Sequence, residues 1–265
     1  MLLFPNIDPI MFTVGPLEIR WYGFAYMISF IIGYYFVKML SRKYNYEDLT
    51  TSVLDSLATY CVLGVIIGGR VGYVIIYMPT IIVENPINIL KTWDGGMSFH
   101  GGLIGIIIAL YIISKIHKLN FFHITDLIAC TAPIGLFFGR IANFINAELY
   151  GRISDVPWAV VFPGTSGAPR HPSQIYEALL EGVVLFFLLN LCFSYKAIRD
   201  RSGLTSGIFL ILYALARSIV ENYREPDSHI GFILENFTMG QLVTFPMFII
   251  GGYIIWKNLL LKHKM

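Results

Sequence analysis

Long apolar segments recur along the whole chain, and polar residues are concentrated in the shorter stretches between them. The segments approach or exceed the length of about 20 residues that a helix needs to cross a hydrocarbon core of roughly 30 Å. The pattern predicts an all-α, polytopic membrane protein with about seven transmembrane helices, built as a single integral membrane domain over residues 1–265. The predicted spans are residues 21–40, 53–77, 99–115, 125–146, 174–194, 204–222 and 240–259.

The longest connector between predicted spans, residues 147–173, is punctuated by Gly, Pro and Ser around the short apolar run "WAVVF". Such residues mark turns, so we expect a small structured extracytoplasmic cap with one extended segment here. The first twenty residues carry Pro5, Pro9 and Pro16, and no basic stretch precedes the first apolar segment. They predict an interfacial arm and no cleaved signal peptide.

Composition supports the membrane assignment and excludes one class of partner. Hydrophobic residues make up 56% of the chain and charged residues 14%, whereas soluble domains average about 45–50% apolar and about 25% charged residues. A net charge of +2 without a block of Lys or Arg predicts no nucleic-acid partner. Cys61, Cys130 and Cys192 lie far apart in apolar runs, which favours buried small residues over a disulfide framework or a zinc site.

Basic residues outside the predicted spans are divided unevenly between the two sides of the membrane. One side carries eleven Lys and Arg residues, and the other carries five. Because cytoplasmic loops carry the excess of Lys and Arg, the N-terminus is predicted outside and the C-terminus in the cytoplasm. The remaining three basic residues, Arg70, Arg140 and Arg217, fall inside predicted spans.

These three arginines are costly to place in a membrane, and residues of this kind usually have a specific role. An arginine at the centre of a transmembrane helix costs about 2.5–3.5 kcal/mol on insertion scales. With a helical rise of about 1.5 Å per residue, Arg70, Arg140 and Arg217 lie about 25, 22 and 20 Å from the inner edge of the membrane. His100 and Tyr22 also fall near the outer ends of their spans. The topology predicts that residues from five helices converge on one layer in the outer half of the membrane.

Helical spacing places further polar residues beside two of the arginines. Residues three or four positions apart share a helix face, so both polar stripes can face one cavity. Arginine grips phosphate bidentately, and the glycines of "GGMSFHGGLIG" would let a lipid headgroup approach backbone N–H groups. We expect an anion held in a hydrated pocket that opens to the outer leaflet. The stripes are Arg140, Asn143 and Asn146 at i, i+3 and i+6, and Tyr213, Arg217 and Glu221 at i, i+4 and i+8.

Each of these positions also has a purely structural interpretation. We favour the functional one for Arg140 and Arg217, and the structural one for Arg70 and for the glycines near it. The structural alternatives are Arg70 paired with Asp94 or Glu148, Arg140 and Arg217 in ion pairs, the latter with Glu221, His100 as an interfacial histidine, His171 as a cap of the fifth span, and Gly68, Gly69 and Gly72 as sites of close helix packing.

The chain lacks the motifs of the common hydrolases. It contains no GxSxG, no HExxH, and no Ser or Thr paired at helical spacing with a His or Lys inside a span. No metal site and no cofactor are therefore predicted, and the protein has no evident nucleophile of its own. From the residues alone, we expect an integral membrane protein that handles a phosphorylated, lipidic substrate from its outer face.

The stretch "GRIANFINAELYGR", residues 139–152, resembles the signature of the prolipoprotein diacylglyceryl transferases, which are bacterial membrane enzymes. The resemblance covers most of the chain and implies seven spans in the bacterial cytoplasmic (inner) membrane. The connector 147–173 is shorter than in many members of the family, which carry an insertion before "RHPSQ". Further similar blocks are "RWYG" at 20–23, "WDGGMSFHGGLIG" at 93–105, "RHPSQIYEALLEG" at 170–182, "YALARSIVENYREPD" at 213–227 and "MGQ" at 239–241.

The resemblance implies transfer of the diacylglyceryl group of phosphatidylglycerol to the thiol of the lipobox cysteine of a prolipoprotein. The products are a thioether and glycerol 1-phosphate, and the partners are these two substrates and membrane lipids. Arg140 and Arg217 match the essential arginines of the family, and His100 is the candidate base. The substrate-binding residues implied by matching positions are Arg140, Asn143, Asn146, Glu148, Gly151, Tyr22, Tyr213 and Glu221, with His171 and Gln174 at the substrate mouth.

Two other function classes also place arginines in a helix bundle. A phospholipid or anion transporter, or a binding protein without transferase chemistry, is the first alternative. Transporters commonly show internal repeats and a binding site at the membrane midplane, whereas this chain has no internal repeat. A seven-span receptor is the second alternative, and it would bind the headgroup without forming product.

Overall fold

The structure is a computed structural model that describes residues 2–5, 7–15, 17–91, 95–225 and 239–260. Within these ranges, seven helices are long and apolar enough to cross a membrane, which confirms the predicted all-α, polytopic class. The seven helices are α1 (Trp21–Lys43), α2 (Thr51–Tyr77), α3 (Phe99–Ile116), α4 (Phe121–Ile145), α5 (Ser173–Ser194), α6 (Leu204–Glu221) and α7 (Met239–Leu260).

The chain divides into two compact units. The first unit comprises residues 1–33 and 126–265, and the second comprises residues 34–125. The second unit holds α2 and α3, with a short helix at Ile81–Glu84 and a 3-10 helix at Pro86–Leu90 between them. The single membrane domain expected from the sequence stays a prediction.

Glycines on α2 and α3 bring the two helix backbones into direct contact. A Cβ atom at Gly72 would lie 2.7 Å from Gly101 Cα, and one at Gly64 would lie 2.6 Å from Gly105 O. A Cβ at Gly68 would likewise clash with the Gly101 carbonyl. Close approach through small residues is a common way for transmembrane helices to associate. The packing predicted for Gly68 and Gly72 is confirmed, whereas Gly101 and Gly105 face α2 and not a lipid headgroup.

Gly64→Ala is expected to lower the midpoint of thermal unfolding in detergent, because its methyl group forces α2 away from α3. Overpacking of this kind costs about 1–3 kcal/mol. Gly135→Ala is the matched control, since a Cβ at Gly135 in α4 meets nothing within 4 Å. Both variants gain helix propensity, so only the steric effect differs between them. Equal melting midpoints for the two variants would contradict the packing account.

Arg70 on α2 binds the loop that precedes α3. The Arg70 side chain is buried, and it donates hydrogen bonds from Nε to Ile89 O at 2.9 Å, from Nη2 to Asn88 O at 2.8 Å and from Nη1 to Gly95 O at 2.5 Å. Asp94, considered above as its partner, lies outside the described residues. The structural interpretation of Arg70 fits this arrangement, since its donors satisfy backbone carbonyls of the loop.

Short strands form two small sheets in the first unit. The first strand pairs in parallel with a strand inside the run "WAVVF", so that Leu2 lies opposite Val160. That strand pairs antiparallel with the segment just before α5, with Val160 opposite Arg170. The predicted extended segment is therefore confirmed. The strands are β1 (Leu2–Leu3), β2 (Ile10–Val14), β3 (Leu17–Arg20), β4 (Val160–Val161) and β5 (Pro169–Arg170), with β2 and β3 forming an antiparallel hairpin.

A buried carboxylate joins the start of α4 to the start of α6. Asp126 Oδ2 accepts the Gly203 N–H at 2.7 Å, and Asp126 Oδ1 accepts both the backbone N–H and the hydroxyl of Ser206 at 2.7 Å. These bonds satisfy N–H groups that the first turn of a helix leaves unpaired. Arg140 lies fourteen residues further along α4, or about 21 Å along the axis. The two helices are thus held together at the end remote from the arginines.

Candidate active site

Arginines from two helices meet on one glutamate of a third. Arg140 of α4 places its Nη1 3.2 Å from Glu177 Oε2 of α5, and Arg217 of α6 donates from Nη1 to Glu177 Oε1. Arg224, which follows α6, also donates to Glu177 Oε1, at 3.3 Å. The structure therefore brings together the two arginines that the sequence placed on separate polar stripes.

Two further carboxylates complete this network. Arg140 donates from Nε and Nη2 to Glu181 Oε2 at 3.2 and 3.0 Å. Arg217 Nη2 lies 3.0 Å from Glu221 Oε2, so the ion pair considered in the sequence is present. We call these six residues the arginine–glutamate cluster: Arg140, Arg217, Arg224, Glu177, Glu181 and Glu221.

Helix direction explains why the cluster forms at one end of the three helices. Arg140 and Arg217 lie near the C-terminal ends of α4 and α6, whereas Glu177 lies near the N-terminal end of α5. All three are about 6–8 Å from the nearest end of their helices. Since α5 runs in the opposite direction to its neighbours in sequence order, these ends coincide. Glu181 follows Glu177 at i+4 and so projects from the same face of α5.

Burial differs between the two kinds of charge in the cluster. The side chains of Glu177 and Glu181 are 0% exposed, whereas those of Arg140 and Arg217 are 16% and 12% exposed. A carboxylate buried in this way needs a cationic partner, because an unpaired charge in a desolvated site is strongly destabilising. The carboxylates thus form the floor of the cluster, and the guanidinium groups keep exposed edges that can donate to an incoming anion.

Glu177 and Glu181 were missed in the sequence, although both lie in the block "RHPSQIYEALLEG". Two carboxylates at i and i+4 inside a transmembrane segment are costly unless a cation pairs with each. The spacing of Glu177 and Glu181 could therefore have indicated that a cation from another helix pairs with each of them. Arg224 was missed because it lies beyond the predicted sixth span and resembles an ordinary loop arginine.

The end of α4 continues into a polar turn around Glu148. Asn143 donates from Nδ2 to Glu148 Oε1 at 2.7 Å, and Gln174 donates from Nε2 to the backbone carbonyl of Glu148 at 2.6 Å. Asn146 Oδ1 and Gln174 Oε1 are buried and accept no hydrogen bond from any described residue. Unpaired buried acceptors are costly, so this turn can accept hydrogen bonds from the hydroxyl groups of a ligand.

Gly151 is needed for close packing and not for a tight turn. A Cβ at this position would lie 2.5 Å from Tyr223 O and 2.7 Å from His171 Cβ. The residues with a left-handed backbone after α4 are Ala147 (φ 52°) and Leu149 (φ 58°), so the turn out of α4 lies before Gly151. The glycine instead lets the connector approach the segment after α6, where it forms a β-bridge.

The predicted tyrosines both lie in the first unit. Tyr22 packs against Tyr26, with ring centroids 5.2 Å apart, in the first turns of α1. Tyr213 stacks on Phe209 with centroids 5.9 Å apart, and it is close enough to Arg140 to interact with its charge. Tyr213 thus borders the arginine–glutamate cluster from α6.

His100 belongs to the second unit. It lies in the first turn of α3, where the Ser98 hydroxyl oxygen accepts the Gly101 N–H at 3.2 Å and caps the helix. The imidazole is exposed and packs edge-on against Phe99, with centroids 5.6 Å apart. A general base must reach the proton that it removes, and the exposed ring of His100 is open to such contact.

His171 does not cap α5, since no side chain among the described residues donates to or accepts from the first turn of that helix as a cap. Its Nδ1 lies 3.0 Å from the Tyr176 hydroxyl, which accepts a hydrogen bond from Trp158 Nε1 at 2.7 Å. Burial lowers the pKa of His171 below its ordinary value of 6.5, against a smaller opposing effect of the Asp155 carboxylate. A lowered pKa favours the neutral imidazole at pH 7, and because Trp158 donates to the Tyr176 oxygen, the Tyr176 hydroxyl can donate a hydrogen bond to Nδ1 of neutral His171.

Acidification is expected to weaken the contact between His171 and the Tyr176 hydroxyl, and with it the hydrogen bond from Trp158 to Tyr176. A folded-state pKa below the unfolded value means that the unfolded state binds more protons at low pH, so the stabilising contribution of His171 is lost as pH falls below about 6.5. Trp158 fluorescence should change over that range in the wild type and stay constant in His171→Gln. A midpoint above 6.5, or the same change in His171→Gln, would contradict this assignment.

The chain is similar to known proteins over nearly its whole length. The sequence model of a family described as prolipoprotein diacylglyceryl transferase matches residues 9–257. A protein of Rickettsia felis, named phosphatidylglycerol–prolipoprotein diacylglyceryl transferase, is 49% identical over 258 residues, which cover 97% of this chain and 99% of that protein. Proteins of the same name from Rickettsia bellii and Rickettsia canadensis are 49% and 47% identical, covering 97% and 98% of this chain and 97% and 100% of their own length.

Proposed function

This chain belongs to the prolipoprotein diacylglyceryl transferase family, and we propose that it transfers the diacylglyceryl group of phosphatidylglycerol to the lipobox cysteine of a prolipoprotein. The cysteine sulfur attacks the glyceryl carbon that carries the phosphate ester. The carbon–oxygen bond breaks, and its electron pair leaves with the phosphate as glycerol 1-phosphate. The products are a thioether-linked lipoprotein precursor and a phosphate monoester, which makes this the first step of lipoprotein maturation.

The convergence of Arg140 and Arg217 on Glu177 is the observation that carries the proposal. The phosphate diester of the substrate has one negative charge, and the leaving monoester gains a second as the carbon–oxygen bond breaks. Preorganised donors aimed at developing charge are the largest single source of catalysis in many enzymes. Both guanidinium groups are fixed by buried carboxylates, so they stabilise the leaving phosphate without first having to be ordered.

The attacking thiol comes from the prolipoprotein, which is why the chain needs no nucleophile of its own. A cysteine thiol has a pKa of about 8.5 and is only slightly ionised at neutral pH. His100 is the proposed base that takes its proton. Its exposure at the start of α3 leaves the imidazole available to substrate.

The other matched residues bind and orient the substrate in this proposal. Asn143 fixes Glu148, and the unpaired acceptor of Asn146 receives a hydroxyl of the glycerol headgroup. Gly151 allows the connector to close against the segment after α6. The proposed substrate-binding set is Arg140, Asn143, Asn146, Glu148, Gly151, Tyr22, Tyr213 and Glu221.

The protein is a multi-pass membrane protein. We place it in the bacterial cytoplasmic (inner) membrane, with its N-terminus outside, its C-terminus in the cytoplasm and its site on the extracytoplasmic side. The excess of Lys and Arg on one side of the predicted spans supports this orientation. Substrate lipid then reaches the cluster from the outer leaflet, together with the secreted precursor.

Purified protein in phosphatidylglycerol vesicles tests the proposal directly when incubated with a lipobox peptide. Mass spectrometry should show a peptide heavier by one diacylglyceryl group, and an equal amount of glycerol 1-phosphate should appear. A peptide with serine in place of the lipobox cysteine is the control. Headgroup binding without either product would instead indicate a transporter, a receptor or another lipid-binding protein.

A further inference from the structure

The arginine–glutamate cluster is formally neutral before any substrate binds. Among the described residues it contains three arginines and three glutamates, and each arginine lies within 3.3 Å of at least one carboxylate oxygen. A phosphate that enters the cluster can use the exposed edges of the guanidinium groups, but it competes with the carboxylates for the positive charge of the arginines. Compared with a purely cationic site, the nearby carboxylates weaken the binding of every anion, and they weaken that of a dianion more than that of a monoanion.

Glu181 has fewer close arginine partners than Glu177. Glu177 contacts all three arginines, whereas Glu181 receives hydrogen bonds from Arg140 only. Its second oxygen, Oε1, is buried, accepts no hydrogen bond from any described residue and lies 3.8 Å from Arg217 Nη1. Of the two glutamates of α5, Glu181 is thus the one that can leave Arg140 without disturbing the contacts of Arg217 and Arg224 with Glu177, and Arg217 remains a nearby cation for its buried charge.

The backbone around Glu181 has an unusual conformation. Residues Ala178–Val184 form a π-helical segment inside α5, and such segments occur frequently at functional sites. Gly182 follows Glu181 and packs on α4, where a Cβ would lie 2.7 Å from Phe137 Cβ and 3.0 Å from Phe137 Cα. Phe137 precedes Arg140 by three residues, or about one turn. This close approach sets Glu181 against the Arg140 guanidinium.

We propose that Glu181 is the exchangeable counter-anion of Arg140. When phosphatidylglycerol binds, the headgroup phosphate replaces Glu181 as the acceptor of the Arg140 hydrogen bonds. Glu181 accepts these bonds again as glycerol 1-phosphate leaves. The product carries one more negative charge than the substrate phosphate, so arginines without this competitor would retain product more tightly than substrate. Glu181 is therefore a positioning residue that acts through Arg140 and sets the rate of product release. This inference rests on the proposed function.

Glu181→Gln tests the proposal, because it keeps the shape of the side chain and one acceptor oxygen but removes the charge. The measurement is inhibition of transfer by added glycerol 1-phosphate, compared with the KM for phosphatidylglycerol in the same vesicles. The variant is expected to lower the product inhibition constant by about tenfold or more relative to KM, and to lower kcat because release slows. Glu84→Gln, an exposed change in the second unit, is the control and should match the wild type.

Glu181→Asp keeps the charge but shortens its reach, so it should lower the inhibition constant by a smaller factor; it decides the matter if Glu181→Gln does not fold. An inhibition constant unchanged relative to KM in the folded variants would overturn the proposal, even if kcat fell, because a merely structural glutamate would behave in that way. A wild-type protein that forms no product would instead refute the proposed function.

Discussion

Arg140→Lys is expected to lower kcat/KM for diacylglyceryl transfer by about 100- to 1,000-fold, the loss typical for removal of one donor to a developing anion. Arg140 uses Nε and Nη2 for Glu181 while Nη1 reaches Glu177. A lysine ammonium is a point charge without this fork and cannot hold two carboxylates and a phosphate together. The substitution does not change the formal charge of the cluster, so the fall in kcat/KM reports the loss of the guanidinium hydrogen-bonding geometry.

The kcat/KM of Arg140→Lys is obtained from initial rates of peptide lipidation in phosphatidylglycerol vesicles. Arg42→Lys, an exposed change near the end of α1, is the matched control and should keep wild-type activity. Circular dichroism and a melting curve show whether each variant is folded. An Arg140→Lys rate within threefold of the wild type would mean that Arg140 serves only the packing of α4 against α5.

Glu177→Ala is expected to destabilise the protein by about 3–5 kcal/mol, the typical result of removing one partner of a buried ion pair. The Glu177 side chain is 0% exposed and contacts Arg140, Arg217 and Arg224. Removing the Glu177 carboxylate leaves three guanidinium groups close together with one negative charge fewer to balance them. The cost arises from the stranded positive charges, so it is larger than the loss of one ordinary hydrogen bond.

Unfolding in mild detergent measures the destabilisation of Glu177→Ala. Glu225→Ala is the control: Glu225 pairs with Arg170 at 2.9 Å, but its side chain is 46% exposed, and an exposed pair contributes about 0–1 kcal/mol. The free energy of unfolding should therefore fall by about 3–5 kcal/mol in Glu177→Ala and by no more than about 1 kcal/mol in Glu225→Ala. If both melt together, the cluster is not the stabilising centre of α4, α5 and α6.

Hydropathy was sufficient to predict the fold class, because a transmembrane helix is specified by a local apolar run of the right length. The close packing of α2 on α3 was also predictable, since Gly68 and Gly72 recur at helical spacing. Cys61 and Cys130 are free and buried, and Cys192 is half-buried, in agreement with their apolar surroundings in sequence. Each of these features depends on residues that are near one another along the chain.

The cluster itself was only partly predictable. Arg140, Arg217 and Glu221 stood out as charges inside apolar spans, but periodicity does not reveal which helix lies beside which. Glu177 and Glu181 were therefore missed as partners of the arginines. Pairing between distant short segments is equally hidden from sequence, as when Leu2 meets Val160 in a sheet of two-residue strands.

The arginines are already paired with carboxylates before any substrate binds. The sequence predicted an anion held in a hydrated pocket, with ion pairs as the structural alternative, and the structure shows guanidinium groups already bound to carboxylates. Prior pairing keeps the cations in place inside a membrane helix, where an unpaired arginine is costly. It also means that phosphate binding is an exchange of one anion for another.

A structure of the protein with phosphatidylglycerol bound would test most directly whether Arg140 and Arg217 bind the same phosphate. The account predicts one phosphate group with oxygens about 2.7–2.9 Å from the guanidinium nitrogens of both arginines, the usual length of a charge-assisted hydrogen bond. A headgroup seated elsewhere, with both arginines still bound only to Glu177, Glu181 and Glu221, would contradict it.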